Sequence, residues 1–238
     1  MSGQPAADVV PAARGRRRLT VLLLAGLLGC PLGCERSAAP GSPPAVPGPQ
    51  RSPRATIEEL IALRRSGAYQ SLGELVLPGR AHEITTTLLA VDEFLHANRA
   101  LCNFVRDNVT PGLAQAIDQG HWSDHLGVFS RYVELVDERI EDGRAVVSFT
   151  VDGRLPLRHA ELRLVNGQWR YDPGPGYDPQ LPAAFKRMAR GLRLVLEDLK
   201  SGKLPVETVQ AEPERLLEEV RLRLLPGVKM LPFRPEGD

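Results

Sequence analysis

Two short stretches carry residue types whose spacing could do chemistry. His121-Trp-Ser-Asp-His125 sets two imidazoles four apart, with Asp124 between them. On a helix both rings would share one face, and the carboxylate could ligate or orient them, which is the spacing of a transition-metal site. The glutamate that activates water in zinc peptidases is missing, and Gly120 just before the stretch reads as a helix stop. The competing reading is a solvated loop, and no metal is assigned. The second stretch is Cys30-Pro-Leu-Gly-Cys34, two of the three cysteines in the chain. It could form a disulfide, although closing so short a loop stabilises little, or clip a metal, although no histidine lies nearby, or be a point of attachment. Elsewhere there is no nucleophile elbow, phosphate-binding glycine loop or Cys-x-x-Cys pair, and no cofactor is expected.

What surrounds the cysteines favours attachment. Arg14, Arg16, Arg17 and Arg18 precede an apolar run from Leu19 to Gly29, far short of the roughly 20 residues that span a bilayer as a helix. A basic start, a short apolar core and small residues before a cut site make an export signal. Leu27-Leu28-Gly29-Cys30 resembles the lipobox of bacterial lipoproteins. The resemblance implies that Cys30 receives a diacylglycerol and becomes the first mature residue, with Cys34 as the alternative because Gly33 precedes it. Leu28 is bulkier than the family's usual residue, and Pro31 directly follows Cys30. An uncleaved anchor or a twin-arginine signal would use the same residues. Two or three acyl chains hold a protein on a membrane where one does not, so the expected site of action is an envelope membrane, facing the periplasm or the outside.

Composition fits that picture. The chain has 238 residues, 42% hydrophobic and 25% charged, with a formal net charge of +1, the profile of a folded domain with appendages. Loss of residues 1–29 takes four of the 30 bases and one of the 29 acids, leaving 26 against 28. A near-neutral body of this kind does not condense onto nucleic acid, and the excess of arginine over lysine reads as the codon bias of a GC-rich genome. Residues 30–55 are rich in Pro, Ala, Gly and Ser without apolar periodicity, a tether that reaches about 60 Å when extended at ~3.1 Å per residue.

Order is expected from residue 56. Thr56-Ile-Glu-Glu59 reads as a capping box, and the helix stops at Gly67. Ser71 to Glu74 starts a short second helix that ends at Pro78. Ile84, Leu88, Val91, Leu95, Cys102 and Val105 then mark one face of a long helix, with a lapse at Asn98. Cys102 on that face reads as a small buried hydrophobe. Thr110 caps another short helix that opens at Pro111 and stops at Gly120. After that the period falls to two. Val133, Leu135 and Asp137 alternate, as do Val147, Phe149 and Val151, with an Asp142-Gly143 turn between; Ala160, Leu162 and Leu164 give a third strand and Asn166-Gly167 turns into a fourth. Helices first and strands later predict an α+β fold with N-terminal helices packed on a four-stranded antiparallel sheet. Asp178 then caps a helix opening at Pro179, with an apolar stripe of Leu181, Phe185, Met188, Leu192, Leu196 and Leu199 flanked by Arg187, Arg190 and Arg193. It reads as a helix docked on the domain, with a membrane-surface helix as the alternative, against which Glu197 and Asp198 count. Glu214 to Leu225 makes a last helix. The expected boundaries are an α+β domain at 56–177, a helical extension at 178–225 and a tail at 226–238.

Gly67, Tyr69 and Leu72, followed much later by Asn166, Gly167 and Trp169, resemble the corner and late hairpin of the NTF2-like superfamily, which includes SnoaL-like and ketosteroid-isomerase-like domains. The likeness covers about residues 56–173; the long helix and the C-terminal helices exceed the family pattern. It implies a cone with a cavity in which similar enzymes place an acid or base. The candidates here are Asp92, His96 and Tyr132, with Asp92 and His96 spaced to pair across one helical turn or simply to form a surface pair. Trp169 and Tyr171 would stack on a ligand in that cavity or close the cone. One fold hosts many functions, so the expected role is a non-catalytic binding or scaffolding module. Its partner would be an unknown small apolar ligand or an envelope protein; an isomerase or hydratase is the alternative.

Overall fold

The computed structural model describes residues 51–174 and 178–233. The expected signal peptide, the acylation site at Cys30 or Cys34, and most of the tether lie outside the described residues, as does the end of the tail.

Helix α1 (Pro53–Ser66) starts earlier than the capping-box reading placed it. Ser52, not Thr56, is the cap: its hydroxyl accepts from the Ala55 amide, Pro53 opens the first turn, and Thr56 is buried with its own hydroxyl donating to the Ser52 carbonyl. Ser52-Pro53 satisfies the helix start with the same chemistry one turn earlier. Gly67, at φ 73°, ends the helix as expected. Residues Tyr69–Glu74 form a 3-10 helix, and Ala81–Asn108 form α2, a 28-residue helix whose buried face holds Ile84, Leu88, Val91, Leu101 and Val105. Asn98, the lapse in the apolar pattern, is also buried. Its side chain donates to Asp118 (2.6 Å) and accepts from the Gln119 amide (3.1 Å), pinning the chain beyond α3 (Pro111–Ala116) to the middle of α2.

Strands β1 (Val133–Glu141), β2 (Arg144–Val151), β3 (Arg154–Val165) and β4 (Gln168–Asp172) form one antiparallel meander in the order β1-β2-β3-β4. The fold is therefore α+β with a four-stranded antiparallel sheet. Three Asx-Gly turns set the hairpins: Asp142-Gly143, Asp152-Gly153 and Asn166-Gly167, all six residues at positive φ between 45° and 75°. This is the left-handed pair that a two-residue hairpin requires. β3 is longer than the third strand read from sequence, because it begins directly after the Asp152-Gly153 turn. In β1 the register shifts between Leu135 and Asp137. Val136 is the extra residue, so Glu138, not Asp137, lies opposite Val147 on the inner face. There its carboxylate accepts from the Arg54 amide at 2.7 Å and holds the start of α1 on the sheet.

α1 covers the inner face, meeting β1, β2 and β4. Ala145, Val147, Phe149, Ala160 and Leu162 are buried beneath it. The hairpin ends project beyond this cover, leaving Ile140 and Leu164 exposed. α2 packs against α4 (Leu181–Lys200), and α4 against α6 (Pro213–Val228), with the short α5 (Val206–Ala211) on α6. Asp178 does not cap α4. Its carboxylate accepts from the Gln180 amide in a turn before the helix, which starts at Leu181. Of the predicted stripe, Leu181, Phe185, Met188, Leu192 and Leu199 are buried, and Phe185 meets Phe94 of α2 edge-on at 5.5 Å. α4 is thus an inner helix of the fold. Two glycines let α6 approach it. A Cβ on Gly191 would lie 2.5 Å from the Arg223 carbonyl oxygen, and one on Gly227 would lie 2.5 Å from Met188 Cγ and 2.8 Å from the Ala184 carbonyl.

Candidate functional site

Asp92 is the best connected of the predicted site residues, but its partners differ from those expected. It sits on α2 six residues before Asn98 and makes a charge-assisted pair with Arg64 of α1. Its other oxygen accepts from the Tyr69 hydroxyl at 2.6 Å. Arg64 also donates to that hydroxyl and, at 3.3 Å, to the Phe129 carbonyl. The Arg64 side chain is 11% exposed and Tyr69 is buried. One polar cluster therefore ties together α1, the 3-10 turn after it, α2 and the loop before β1. Burial, followed by the hydrogen bond to Asp92, raises the Tyr69 phenol well above its ordinary value, so it stays protonated and serves as a donor. Such an arrangement commits both Asp92 oxygens to Arg64 and Tyr69.

His96, four residues on, is exposed and makes no hydrogen bond or ion pair with Asp92. Tyr132 is 59% exposed in the loop before β1, with the Arg131 guanidinium over its ring. The three candidates do not converge. Arg64 and Tyr69 are the residues that sequence reasoning missed; Tyr69 was read only as part of a helix corner. The available signal was a cation on the last turn of α1, one turn before Gly67.

His121 and His125 lie at the two ends of one 3-10 helix, Gly120–His125. Four residues apart on the tighter helix, which turns every three residues, their rings diverge. His121 lies beside Trp122, whereas His125 stacks on Phe233 with centroids 4.5 Å apart. No group of three or more His, Cys, Asp or Glu side chains is arranged to hold a metal ion among the described residues. Burial lowers the His125 imidazole from its ordinary value, with the Arg158 guanidinium adding to the effect. Burial likewise raises Asp124, whose Oδ1 accepts no hydrogen bond and lies 3.9 Å from Arg131 Nε. The Asp124 carbonyl accepts from Arg158 (2.6 Å) and Ser130 (3.0 Å), so the segment is fastened to β3 through its backbone.

Trp169 is 8% exposed and Tyr171 half-buried, the latter edge-on to Phe129 at 5.9 Å. The Tyr171 backbone bonds with Leu75 and Leu77, which adds the segment before α2 to the edge of β4. Both aromatics thus pack where the sheet meets the helices. Cys102 is buried beside Asn98, and burial pushes its thiol up to about 11, which keeps it protonated.

The clefts lie elsewhere. One, of about 290 Å³, opens at the start of α2 and is lined by Arg80, His82, Glu83, Thr86, Thr87, Asp178, Pro179 and Pro182. The Thr87 hydroxyl is buried there without a hydrogen-bond partner. Arg80 is held in place by Glu83 (3.0 Å) and the Gly174 carbonyl (2.7 Å). A second, of about 550 Å³, is a shallow charged hollow at the β1–β2 hairpin, lined by Arg139, Glu141, Asp142, Arg144 and Val146. Neither is lined by Asp92, His96, Tyr132, Trp169 or Tyr171. No protein-family model, curated protein or solved structure matches the chain.

Proposed function

We propose that the chain is an exported bacterial lipoprotein whose folded part is a non-catalytic binding or scaffolding module of the NTF2-like kind, held at an envelope membrane. The observation that carries the anchor is Leu27-Leu28-Gly29-Cys30 behind Arg14 to Arg18: an apolar run too short to span, ending in a small residue and a thiol. The non-catalytic role rests on where the polar groups go. Asp92 is paired with Arg64 and Tyr69, and His96 and Tyr132 stand apart on the surface. The NTF2-like reading draws on α1 ending at Gly67, on the buried Tyr69 and Leu72, and on the Asn166-Gly167 hairpin leading to Trp169. The small ligand expected of such a module would enter at the start of α2, where Pro179 and Pro182 offer an apolar wall, Arg80, Glu83 and Asp178 line the rest, and the Thr87 hydroxyl lacks a partner.

Intact-mass measurement of the protein extracted from membranes of a bacterial host tests the anchor. The expected species begins at Cys30 and carries two or three acyl chains. Inhibiting the lipoprotein signal peptidase should enlarge the protein by the signal peptide, and Cys30→Ala should release it. An unmodified amino terminus, or unchanged membrane partition when Cys30 and Cys34 are both alanine, overturns the reading.

A further inference from the structure

The buried apolar stripe of α4 leaves its opposite face in solvent, and that face is unevenly charged. Lys186, Arg187, Arg190 and Arg193 are all exposed along it. Arg193 is neutralised by Glu93 of α2 at 2.6 Å. The other three have no carboxylate within 4.0 Å among the described residues, although eleven arginines elsewhere or on the same helix do form such pairs. The acids that appeared in the sequence to spoil this face are placed otherwise. Asp198 is engaged by Arg223 (3.1 Å) and Lys203 (3.5 Å). Glu197 lies seven residues beyond Arg190, about 10 Å along the helix and so about a Debye length away. Leu89, 56% exposed, stands one turn before Glu93 on the flank of α2 next to this stripe.

From this geometry we propose that Lys186, Arg187 and Arg190 form a contact face for the anionic phospholipid headgroups of a bilayer, with Leu89 at its margin, and that the domain lies on the membrane through this face. Charge complementarity identifies the occupant as anionic. Strength identifies it as a bilayer. Each cation near an anionic surface adds roughly five-fold to partition, so three give on the order of 100-fold. That is too little to capture a freely diffusing partner, but it is enough to orient a domain already confined near the bilayer by a tether of about 60 Å. In this respect the proposal rests on the anchored reading above. The apolar stripe of α4 does not enter the membrane, because it is spent on α2 and α6; the helix touches headgroups with its polar side.

The chain from residue 30 onward, with Cys30→Ser and Cys34→Ser so that no acyl chain is present, would be sedimented with vesicles of phosphatidylcholine alone or mixed equally with phosphatidylglycerol. Partition onto the anionic vesicles should exceed that onto neutral ones by on the order of 100-fold at 50 mM salt and fall steeply at 500 mM. The variant K186E/R187E/R190E, exposed at all three positions and checked for native circular dichroism, should lose the difference. R139E/R144E, which changes the other charged hollow by the same kind of substitution, should keep it. Equal partition onto both vesicle types, or a preference that survives K186E/R187E/R190E, overturns the proposal. Because no acyl chain is used, failure of the anchor would show only in the intact-mass measurement, and failure of the contact face only here.

Discussion

The sheet and the α2–α4–α6 layer are assembled by opposite strategies. In the sheet every neighbour is also the next strand in sequence, and each pairing is dictated by a two-residue turn whose Asx-Gly pair sits at positive φ. Beside each turn, register is a local matter, and it shifts only farther along, at Leu135/Asp137 and Phe149/Val151. The helical layer has no such local code. α2 and α4 are separated by the whole sheet, and their packing depends on Phe94 meeting Phe185 and on two glycines where α6 crosses α4. The sheet therefore tolerates change except at its turns, whereas the helical layer should fail at small residues in the middle of helices.

That contrast can be broken most sharply at Gly191. Its missing side chain faces backbone, the Arg223 carbonyl, which cannot swing aside as a flexible side chain can. Gly191→Ala should therefore destabilise by about 3 kcal/mol, the upper part of the range for overpacked cores, despite alanine's better helix propensity. Gly227→Ala should cost somewhat less, since Met188 can yield part of the space. Urea unfolding followed by circular dichroism reads both, and a stabilised Gly191→Ala would mean that α4 and α6 do not cross this closely. Next in size is Asn98→Ala, which removes the hydrogen bonds that the buried Asn98 amide gives to the Asp118 carboxylate and accepts from the Gln119 N–H, leaving Asp118 only the Gly120 amide. About 2 kcal/mol is expected, the net worth of two hydrogen bonds of which one is to a carboxylate. Asn98→Leu, which restores the apolar stripe, should be no better, because the loss lies in the partners and not in the volume.

The same division explains what could be read from the chain. The four-stranded meander, the Gly67 stop, the Thr110 cap and the buried face of α2 follow from period, turn chemistry and capping, all of which act over a few residues. The bulge at Val136 was not legible, since it depends on Glu138 reaching the start of α1 some 84 residues earlier. Nor was Asp92's true role: nothing local says that Arg64, 28 residues away, will claim it before His96 does. Asn98 broke the apolar pattern for a reason only the folded state supplies. The Asp152-Gly153 turn carries the same signal as its two siblings, although Pro156, which has no N–H to give a ladder, stands near the start of the strand that follows it.

On the sheet side the turns are the weak points, and a smaller effect is expected. Gly167→Ala places a Cβ at φ 74° with no neighbour within 4 Å, so only backbone strain is at stake. About 1 kcal/mol is expected, with Asn166→Ala smaller still. Loss comparable to that of Gly191→Ala would show that the hairpin carries a tertiary contact as well as a turn.

The smallest expected effect concerns neither layer but the segment between them. His125 is held neutral by burial against Phe233 and by the nearby Arg158, with Asp124 opposing and His121 adding to the shift. Its folded pKa therefore lies below the 6.5 of the free side chain. Above that value both folded and unfolded chains carry it neutral and it contributes nothing to pH dependence. As pH falls through 6.5 the unfolded chain takes up a proton that the folded one refuses, so stability declines until the depressed folded value is passed. Asp124 works in the opposite sense over a lower window: it is raised above 3.8, so its ionised form is a burden at neutral pH that acid relieves. Subtracting the pH profile of His125→Gln from that of the parent chain leaves the contribution of the imidazole together with its coupling to Asp124. The difference should grow as pH drops from 7 toward 5. A flat difference would mean that the ring is solvated and that Phe233 does not rest on it, detaching the C-terminal residues from the body of the fold.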